Sequence, residues 1–176
     1  MTRLLAVLAV LLGPALAAAG ERTLIVKTFE DDSHPADPAV CAAAGFEPVN
    51  VVLGASVWSL QSRAYDGTVM KEAVRQIGTA TGCGRMTSAE PFTPGQRFTI
   101  QFDLEDGTYV ASGTCDIVSV TVPAPGVMLA GCALAIEQAP PGIIGGVATS
   151  ASIFNPYGIP GFGTGSVWTL HLYTAD

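Results

Sequence analysis

The fold is decided by residues 96–136, QRFTIQFDLEDGTYVASGTCDIVSVTVPAPGVMLAGCALAI. From Phe98 to Leu104 every second residue is apolar, which is the period of a β-strand with one buried face. Asp106-Gly107 follows as a two-residue hairpin signal. The return strand ends at a Pro/Gly-rich turn, and a third strand ends at Ile136. These residues predict a three-stranded meander at the centre of a β-domain.

Two cysteines lie in this meander, Cys115 on the return strand and Cys132 on the third strand. If Val122 faces Val127 across the turn, the two cysteines miss direct pairing by two positions, which one β-bulge or a longer loop would absorb. Cross-strand neighbours have the Cβ spacing that a disulfide needs. We therefore predict a Cys115–Cys132 disulfide; the alternative is two small buried residues that do not bond.

The N-terminal residues predict the compartment. Arg3 is the only charge before Glu21, Leu4–Leu12 is a short apolar run, and Ala17–Ala19 offers the small residues of a cleavage site. The run is shorter than the ~20 residues of a transmembrane helix. We predict a signal peptide over residues 1–19 and a single exported domain over residues 20–176, secreted or periplasmic. No cysteine stands at the cleavage point to carry a lipid anchor.

All four cysteines, Cys41, Cys83, Cys115 and Cys132, belong to the predicted exported domain. An even number in an oxidising compartment predicts two disulfides. With Cys115–Cys132 assigned to the meander, the remaining pair is Cys41–Cys83. A zinc site is the alternative, but the chain has no close C-x-x-C pair and only two histidines.

The composition excludes some classes of partner. The formal net charge is −7, so the chain lacks the basic face that nucleic acid or an anionic lipid surface needs. No later apolar run is long enough for a membrane helix, and we expect no membrane insertion. With 13% charged residues, 20 Gly and 12 Pro, the composition favours a loop-rich all-β domain over a helical bundle.

The rest of the chain adds more strands. Further strands are predicted over Thr23–Phe29, Val49–Gln61, Val147–Phe154 and Ser166–Tyr173. Gly54 indicates a bend or bulge in the second of these. Asp66-Gly67 marks a turn, and residues 86–95 are predicted as a loop. Residues 68–78 fit helical and strand spacing alike, and we favour a strand.

One short helix is predicted near the N-terminus of the exported domain. Asp37 is suited to the N-cap and Pro38 to the first helical position. Ala39–Ala44 are helix formers, and Gly45 is expected to end the helix. Cys41 lies within this helix, so a Cys41–Cys83 disulfide would tie the helix to the sheet.

Together these elements predict an all-β domain of about eight mostly antiparallel strands, with one short helix and two disulfides. A closed barrel is favoured, because closure removes sheet edges in a chain with few edge charges. A β-sandwich is the alternative.

No catalytic motif is present. The sequence has no G-x-S-x-G elbow, no G-x-G-x-x-G after a strand, no Walker lysine loop and no H-E-x-x-H. The carboxylates of Glu30, Asp31, Asp32 and Asp37 offer hard oxygen ligands for Ca²⁺, but without EF-hand spacing. We interpret them as a solvated acidic loop and predict neither metal nor cofactor.

The order of glycines resembles the barrel shared by dirigent proteins and allene oxide cyclases. The matching segments are the Gly-rich strand 78–82, the strand with its Asp-Gly turn at 98–107, and Gly145-Gly146-Val147. The resemblance covers Trp58 to Tyr173 and implies a closed antiparallel barrel. This chain has Val147-Ala148 where the group usually has Thr-Gly, and two disulfides are not typical of the group. No catalytic residue is carried over.

A short internal echo links two predicted strands. Ser56-Val-Trp-Ser-Leu60 recurs as Ser166-Val-Trp-Thr-Leu170. The echo indicates either a duplicated half or two core strands that meet the same packing requirement.

The candidate binding segment is the uncharged stretch from Asn155 to Gly165. Loops of this length in a compact domain are often functional. Its candidate contact residues are Asn155, Tyr157, Ile159 and Phe162. Two interpretations are open: the side chains fold back as a lid on the core, or they form a contact surface for a small apolar ligand or a protein partner.

Three functions remain open at this point. The absent catalytic motifs favour an exported, non-enzymatic binding or interaction module. The second hypothesis is a barrel enzyme or chirality-directing protein with a deep pocket for a small apolar substrate. The third is a structural component of an envelope or extracellular assembly.

Overall fold

Within the part of the chain that the structure describes, eight antiparallel strands form a sheet that closes into a barrel. The structure is a computed structural model, and it describes residues 20–30, 32–60 and 75–175. Each strand pairs with its neighbour in chain order, and the last strand pairs with the first. The strands are β1 (Gly20–Glu30), β2 (Val51–Ser59), β3 (Gln76–Arg85), β4 (Arg97–Leu104), β5 (Gly107–Ser119), β6 (Met128–Gln138), β7 (Ile143–Phe154) and β8 (Gly165–Thr174). The predicted closed barrel is confirmed, and the sandwich alternative is wrong.

Because apolar residues alternate along the strands, one face of each strand directs its apolar side chains into the barrel interior. Phe98, Ile100 and Phe102 of β4 are buried there, as the sequence predicts. Trp168 of β8 reaches these rings across the interior. It stacks on Phe98 with the ring centroids 6.5 Å apart, and it meets Phe102 edge-on at 5.5 Å. Side chains therefore fill the interior, as is usual for a barrel of eight strands.

The predicted meander is formed by β4, β5 and β6, with the Cys115–Cys132 disulfide inside the barrel. The two cysteines are direct cross-strand partners, and the register shifts between Ile117 and Ser119. This irregularity supplies the predicted bulge. Val122 and Val127 do not face each other within the sheet, because β5 ends at Ser119 and β6 begins at Met128. The longer loop between them contains the Pro/Gly turn.

The second predicted disulfide, Cys41–Cys83, is also present. It holds the helix α1 (Pro38–Ala42) against β3, on the face of the strand that points away from the interior. Asp37 caps the helix, its Oδ1 accepting a hydrogen bond from the Ala39 N–H at 2.8 Å. The helix ends at Ala42, two residues before the predicted end, and Gly45 follows with a φ of +75°.

Gly54 does not form a bulge in β2, which is one of the two features that the sequence indicates there. The residues around it keep a continuous register with β3, and the register shift lies between Val57 and Trp58. The structure gives another reason for glycine here. The backbone of residues 34–36 lies directly against the outer face of Gly54, where a Cβ atom would be 2.1 Å from the His34 carbonyl oxygen. Glycine therefore allows the segment before α1 to lie on the barrel wall.

Some sequence predictions fall outside the described residues. These are the signal peptide over residues 1–19 and the Asp66-Gly67 turn, together with most of the ambiguous segment 68–78. The end of that segment, residues 76–78, belongs to β3 and is a strand. No helix among the described residues is long and apolar enough to cross a membrane.

The connections divide the barrel into two ends. The β1–β2, β3–β4, β5–β6 and β7–β8 connections emerge at one end, which we call the loop end. The opposite end carries the connections β2–β3, β4–β5 and β6–β7, of which the last two span only residues 105–106 and 139–142. The candidate binding loop 155–164 belongs to the loop end.

Both disulfides should be complete in the exported chain, since none of the four cysteines is free. We expect no thiol labelling without reductant and four labelled thiols after reduction and unfolding. The bonds close segments with sequence separations of 42 and 17, so the double variants Cys41→Ala/Cys83→Ala and Cys115→Ala/Cys132→Ala should lose about 4 and about 3 kcal/mol by the chain-entropy estimate. Labelling of two cysteines before reduction would contradict this pairing.

The close approach at Gly54 gives a second prediction. Gly54→Ala should lower the free energy of unfolding by about 1–3 kcal/mol, because the added methyl group meets fixed backbone rather than a movable side chain. Gly163→Ala is the control: nothing lies within 4 Å of its added Cβ, so the change should stay within about 0.5 kcal/mol. Urea unfolding measures both, and equal stabilities would mean that the 34–36 segment does not lie on the barrel wall.

Candidate functional site

Large apolar side chains are exposed at the loop end. Tyr157 and Phe92 are 72% and 71% exposed, the highest values for a large apolar residue in the described part of the chain. Val122, on the loop between theirs, is 57% exposed. We call Phe92, Val122 and Tyr157 the loop-end apolar residues. Each comes from a different connection, so tertiary structure alone gathers them at one end of the barrel.

Most of the side-chain hydrogen bonds that hold the β7–β8 loop come from Asn155. Its Nδ2 donates to the carbonyl oxygens of Ile159 (2.9 Å) and Phe162 (2.8 Å), and its Oδ1 accepts from the Ile159 N–H (2.8 Å). The backbone N–H of Asn155 donates to Thr164 Oγ1 at 3.1 Å. The amide of Asn155 is thus engaged within its own loop, and Asn155 shapes the loop from inside.

The other three predicted contact residues differ in exposure. Ile159 and Phe162 are half-buried, whereas Tyr157 is exposed. A Cβ added at Gly126 would lie 3.1 Å from the Tyr157 ring and 3.9 Å from Ile159 Cδ1, so this loop packs on the β5–β6 loop. Ile159 and Phe162 are partly buried, as expected for a lid on the core. Tyr157 faces solvent, as expected for a contact surface.

Phe92 was not singled out by the sequence. It lies in the β3–β4 loop between Pro91 and Pro94, and its φ of +59° is in the left-handed region. For a bulky side chain this conformation is an outlier that the surroundings must impose. The Phe92 N–H donates to the Ile117 carbonyl oxygen at 2.8 Å. The loop is therefore fixed to the end of β5, with the Phe92 ring left in solvent.

Two polar side chains support these loops from beneath. Buried Gln96 holds the β3–β4 loop: its Oε1 accepts from the Thr87 N–H at 2.9 Å, and its Nε2 donates to the Ser88 carbonyl oxygen at 2.6 Å. Ser119 Oγ accepts from the Thr121 and Val122 N–H groups at 3.2 and 3.1 Å. The loops that carry the loop-end apolar residues are therefore held in place by hydrogen bonds to their backbone.

A small cavity lies beneath the loops, inside the barrel mouth. Its walls include Phe98, Phe154 and Trp168, together with the hydroxyl-bearing residues Ser152 and Ser166, and its volume is about 30 Å³. One water molecule needs roughly 10–15 Å³, so the cavity admits a very small group. Phe98 also forms part of the wall of a second cavity, of about 40 Å³.

Hydroxyl groups line the inner wall beside this cavity. Ser166 Oγ donates to Ser152 Oγ at 2.8 Å, Ser150 Oγ lies 3.0 Å from Ser152 Oγ, and Thr28 Oγ1 donates to the Ser166 carbonyl oxygen at 3.4 Å. Sequence reasoning missed this cluster. The available signal was the alternation itself, which puts Ser150 and Ser152 on the same face as Ala148, a core residue.

Ionisable groups are arranged on the surface. In residues 20–30, 32–60 and 75–175, no group of three or more His, Cys, Asp or Glu side chains comes together to hold a metal. Asp37 is engaged as a helix cap, and Asp31 lies outside the described residues. His171 faces outward, with its Nε2 3.5 Å from Glu21 Oε2. These groups are spread over the outside rather than converging in a cleft.

One exposed ion pair lies at the opposite end of the barrel. Arg75 donates two hydrogen bonds to Glu105, one of them from Nη2 to Oε2 at 2.6 Å. The hydrogen bond from Arg75 holds the pKa of the Glu105 carboxyl below its ordinary value, and the hydrogen bond to Glu105 raises the pKa of Arg75. Because both side chains are exposed, the pair is of little consequence for stability. It is remote from the loop end.

Comparison with known proteins assigns no family. No protein-family model matches the chain. No curated protein and no solved structure gives a significant match. The resemblance to dirigent proteins and allene oxide cyclases stays an interpretation of the sequence, and the function has to be argued from the site itself.

Proposed function

We propose that this chain is an exported, non-enzymatic binding module that contacts a protein partner through Phe92, Val122 and Tyr157. The observation that carries this proposal is that these apolar side chains, from three separate loops, are exposed together at the loop end. Aromatic residues are enriched at protein–protein interfaces relative to the rest of a protein surface. A small apolar ligand is the alternative occupant of this surface.

The rigidity of the loops supports the proposal. Asn155 and Gln96 hold two of the three loops through side-chain hydrogen bonds to backbone groups. A surface that is already ordered loses less conformational entropy when a partner binds. The left-handed backbone at Phe92 is imposed by its surroundings while its ring lies in solvent. Backbone outliers of this kind cluster at binding and switch regions.

The disulfides support an extracytoplasmic location for the protein. Two disulfides are typical of an oxidising, extracytoplasmic environment. Together with the predicted signal peptide, they favour a secreted or periplasmic protein. Its partner is therefore sought outside the cytoplasm.

The cavity beneath the loops supports a binding module over a barrel enzyme. Pockets for small-molecule substrates usually enclose roughly 300–1,000 Å³, whereas the cavities at the mouth measure about 30 and 40 Å³. Large side chains such as Trp168, Phe98 and Phe102 occupy the space that a deep pocket would need. A solid interior suits a scaffold that presents its loops.

A second candidate function is a component of an extracellular assembly. A part of the outer face of β6, β7 and β8 forms an uncharged wall, while Glu137 and His171 lie on the same face nearer the opposite end of the barrel. The wall consists of Leu129, Gly131, Ala133, Ala135, Val147, Thr149, Ala151, Ile153, Gly165, Val167 and Thr169. Val147 and Val167 are each 41% exposed on it. An uncharged wall allows copies of an acidic chain to approach one another without placing like charges in contact.

The two candidates make different predictions for self-association. If the wall joins copies of the chain, light scattering should show an average mass that rises with concentration. The double variant Val147→Lys/Val167→Lys should return the mass to that of a monomer, because it places charge within the contact. A wild-type chain that stays monomeric at high concentration excludes the assembly and leaves the loop-end proposal intact.

The loop-end proposal predicts that substitutions at the exposed residues abolish partner binding without lowering the stability of the fold. Phe92→Ser/Tyr157→Ser should change the free energy of unfolding by no more than about 0.5 kcal/mol per exposed site, while partner binding is lost. Phe162→Ser should instead reduce stability, because it removes a half-buried aromatic side chain. The matched control is Ile144→Ser, an equally drastic change at a 64% exposed site on the opposite end of the barrel.

The measurement combines urea unfolding with site-specific photo-crosslinking. A photo-reactive phenylalanine analogue replaces Tyr157 in one exported protein and Ile144 in another. We expect a discrete protein adduct from position 157, abolished by Phe92→Ser, and none from position 144. Equal adducts from both positions, or an adduct at 157 that survives Phe92→Ser, would show that the loop-end apolar residues do not form the contact.

A further inference from the structure

Trp168 carries a buried hydrogen-bond donor without an acceptor. The residue is 2% exposed, and its Nε1 has no hydrogen-bond partner in the described part of the chain. It is the one buried side-chain nitrogen or oxygen found in this condition among the described residues. An unsatisfied buried donor costs roughly 1–3 kcal/mol. In native proteins most buried polar groups have a partner from the protein or from ordered water, so an unsatisfied one calls for an explanation.

Trp168 also forms part of the wall of the cavity beneath the loops. Nε1 is the only polar atom of its side chain. The nearby hydroxyl groups are engaged in other hydrogen bonds: Ser166 donates to Ser152, and Ser152 lies within hydrogen-bond distance of Ser150. Among the residues of this wall, the indole N–H of Trp168 is the buried side-chain donor without an acceptor in the described part of the chain.

The cavity wall indicates the charge of the acceptor. Its polar residues are Thr28, Ser152, Thr164 and Ser166, and its one charged residue is Glu30 at the mouth. No Lys, Arg or His is part of this wall. A carboxylate or phosphate would find no counter-charge here and would meet the like charge of Glu30. The acceptor that fits is a neutral oxygen.

We propose that the barrel mouth binds the carbonyl or hydroxyl oxygen of a small neutral molecule, which accepts a hydrogen bond from Trp168 Nε1. A volume of about 30 Å³ holds the oxygen and the carbon next to it. The apolar remainder extends toward the mouth along Leu53, Phe98 and Phe154. This site lies under the loops rather than on them, and it goes beyond the proposed surface for a protein partner without depending on it.

The chain contains a matched internal control in Trp58. It belongs to the pentad Ser56–Leu60, which resembles the pentad Ser166–Leu170 around Trp168. Trp58 is on the outer face of β2, and its Nε1 donates to Ser56 Oγ at 3.1 Å. One tryptophan therefore has an acceptor from the chain, and the other has none. A ligand that works through an open indole donor should affect Trp168 alone.

The test follows the two indole N–H signals in ¹H–¹⁵N spectra of the exported chain, assigned with Trp58→Phe. The probe is 2-butanone, a neutral ketone, titrated into the millimolar range that its few heavy atoms permit. We expect a saturable downfield shift of the Trp168 signal and no shift of the Trp58 signal. Butyrate, of similar size but negatively charged, should shift the Trp168 signal much less.

Trp168→Phe removes the donor and keeps an aromatic ring. Ketone binding, followed by saturation transfer to the ketone's own protons, should weaken about fivefold in this variant and stay unchanged in Trp58→Phe. An unshifted Trp168 signal at saturating ketone, together with cross-relaxation to water, would show an ordered water only and overturn the proposal. Equal shifts of both tryptophans would overturn it as well. The wild-type spectra decide the matter even if Trp168→Phe fails to fold.

Discussion

The pairing of β1 with β8 is the constraint on which the rest of the structure depends. It runs from Gly20–Thr174 to Phe29–Gly165 and joins the first described residues to the last. Because of this pairing, none of the described strands is left as a free edge, and an open edge is what makes a sheet prone to pair with other chains. Closure also creates an inside and an outside. Each strand must then carry apolar and polar residues in alternation, and that alternation is the pattern visible in the meander.

The two disulfides lie on opposite faces of the barrel sheet. Cys115–Cys132 joins neighbouring strands from within the barrel, beside the core. Cys41–Cys83 lies on the outer face and fastens the β1–β2 connection, with α1, to β3. The first strengthens the sheet, and the second keeps a long connection close to it. Loops that are fixed in this way can present side chains at a rigid end of the barrel, which is the usual division between a scaffold and its binding residues.

The two similar pentads show that a short sequence does not determine which face of the sheet its side chains occupy. In β2, Val57 points inward and is fully buried while Trp58 points outward; in β8, Val167 is exposed and Trp168 is buried. The side-chain period of a strand is two, so a displacement by one residue exchanges the faces. The pentads therefore do not meet the same packing requirement. They also lie in β2 and β8, whereas a duplication of four strands would relate β2 to β6, so the duplicated-half interpretation is not supported.

By itself the sequence determined the local properties of this protein. The alternation from Phe98 to Leu104 predicted the buried face of β4, and Asp37 and Pro38 predicted the start of α1. The positions of Cys115 and Cys132 predicted a disulfide, with a bulge or a longer loop to bring the two residues opposite each other. These features depend on neighbours in the chain or directly across a hairpin. Only the tertiary structure decided that Gly54 serves a close approach, that Phe92, Val122 and Tyr157 share one end, and that Trp168 lacks an acceptor. Each of these features depends on segments that are far apart in the sequence and that the folded barrel brings together. A local pattern of residues does not show which distant segments will meet.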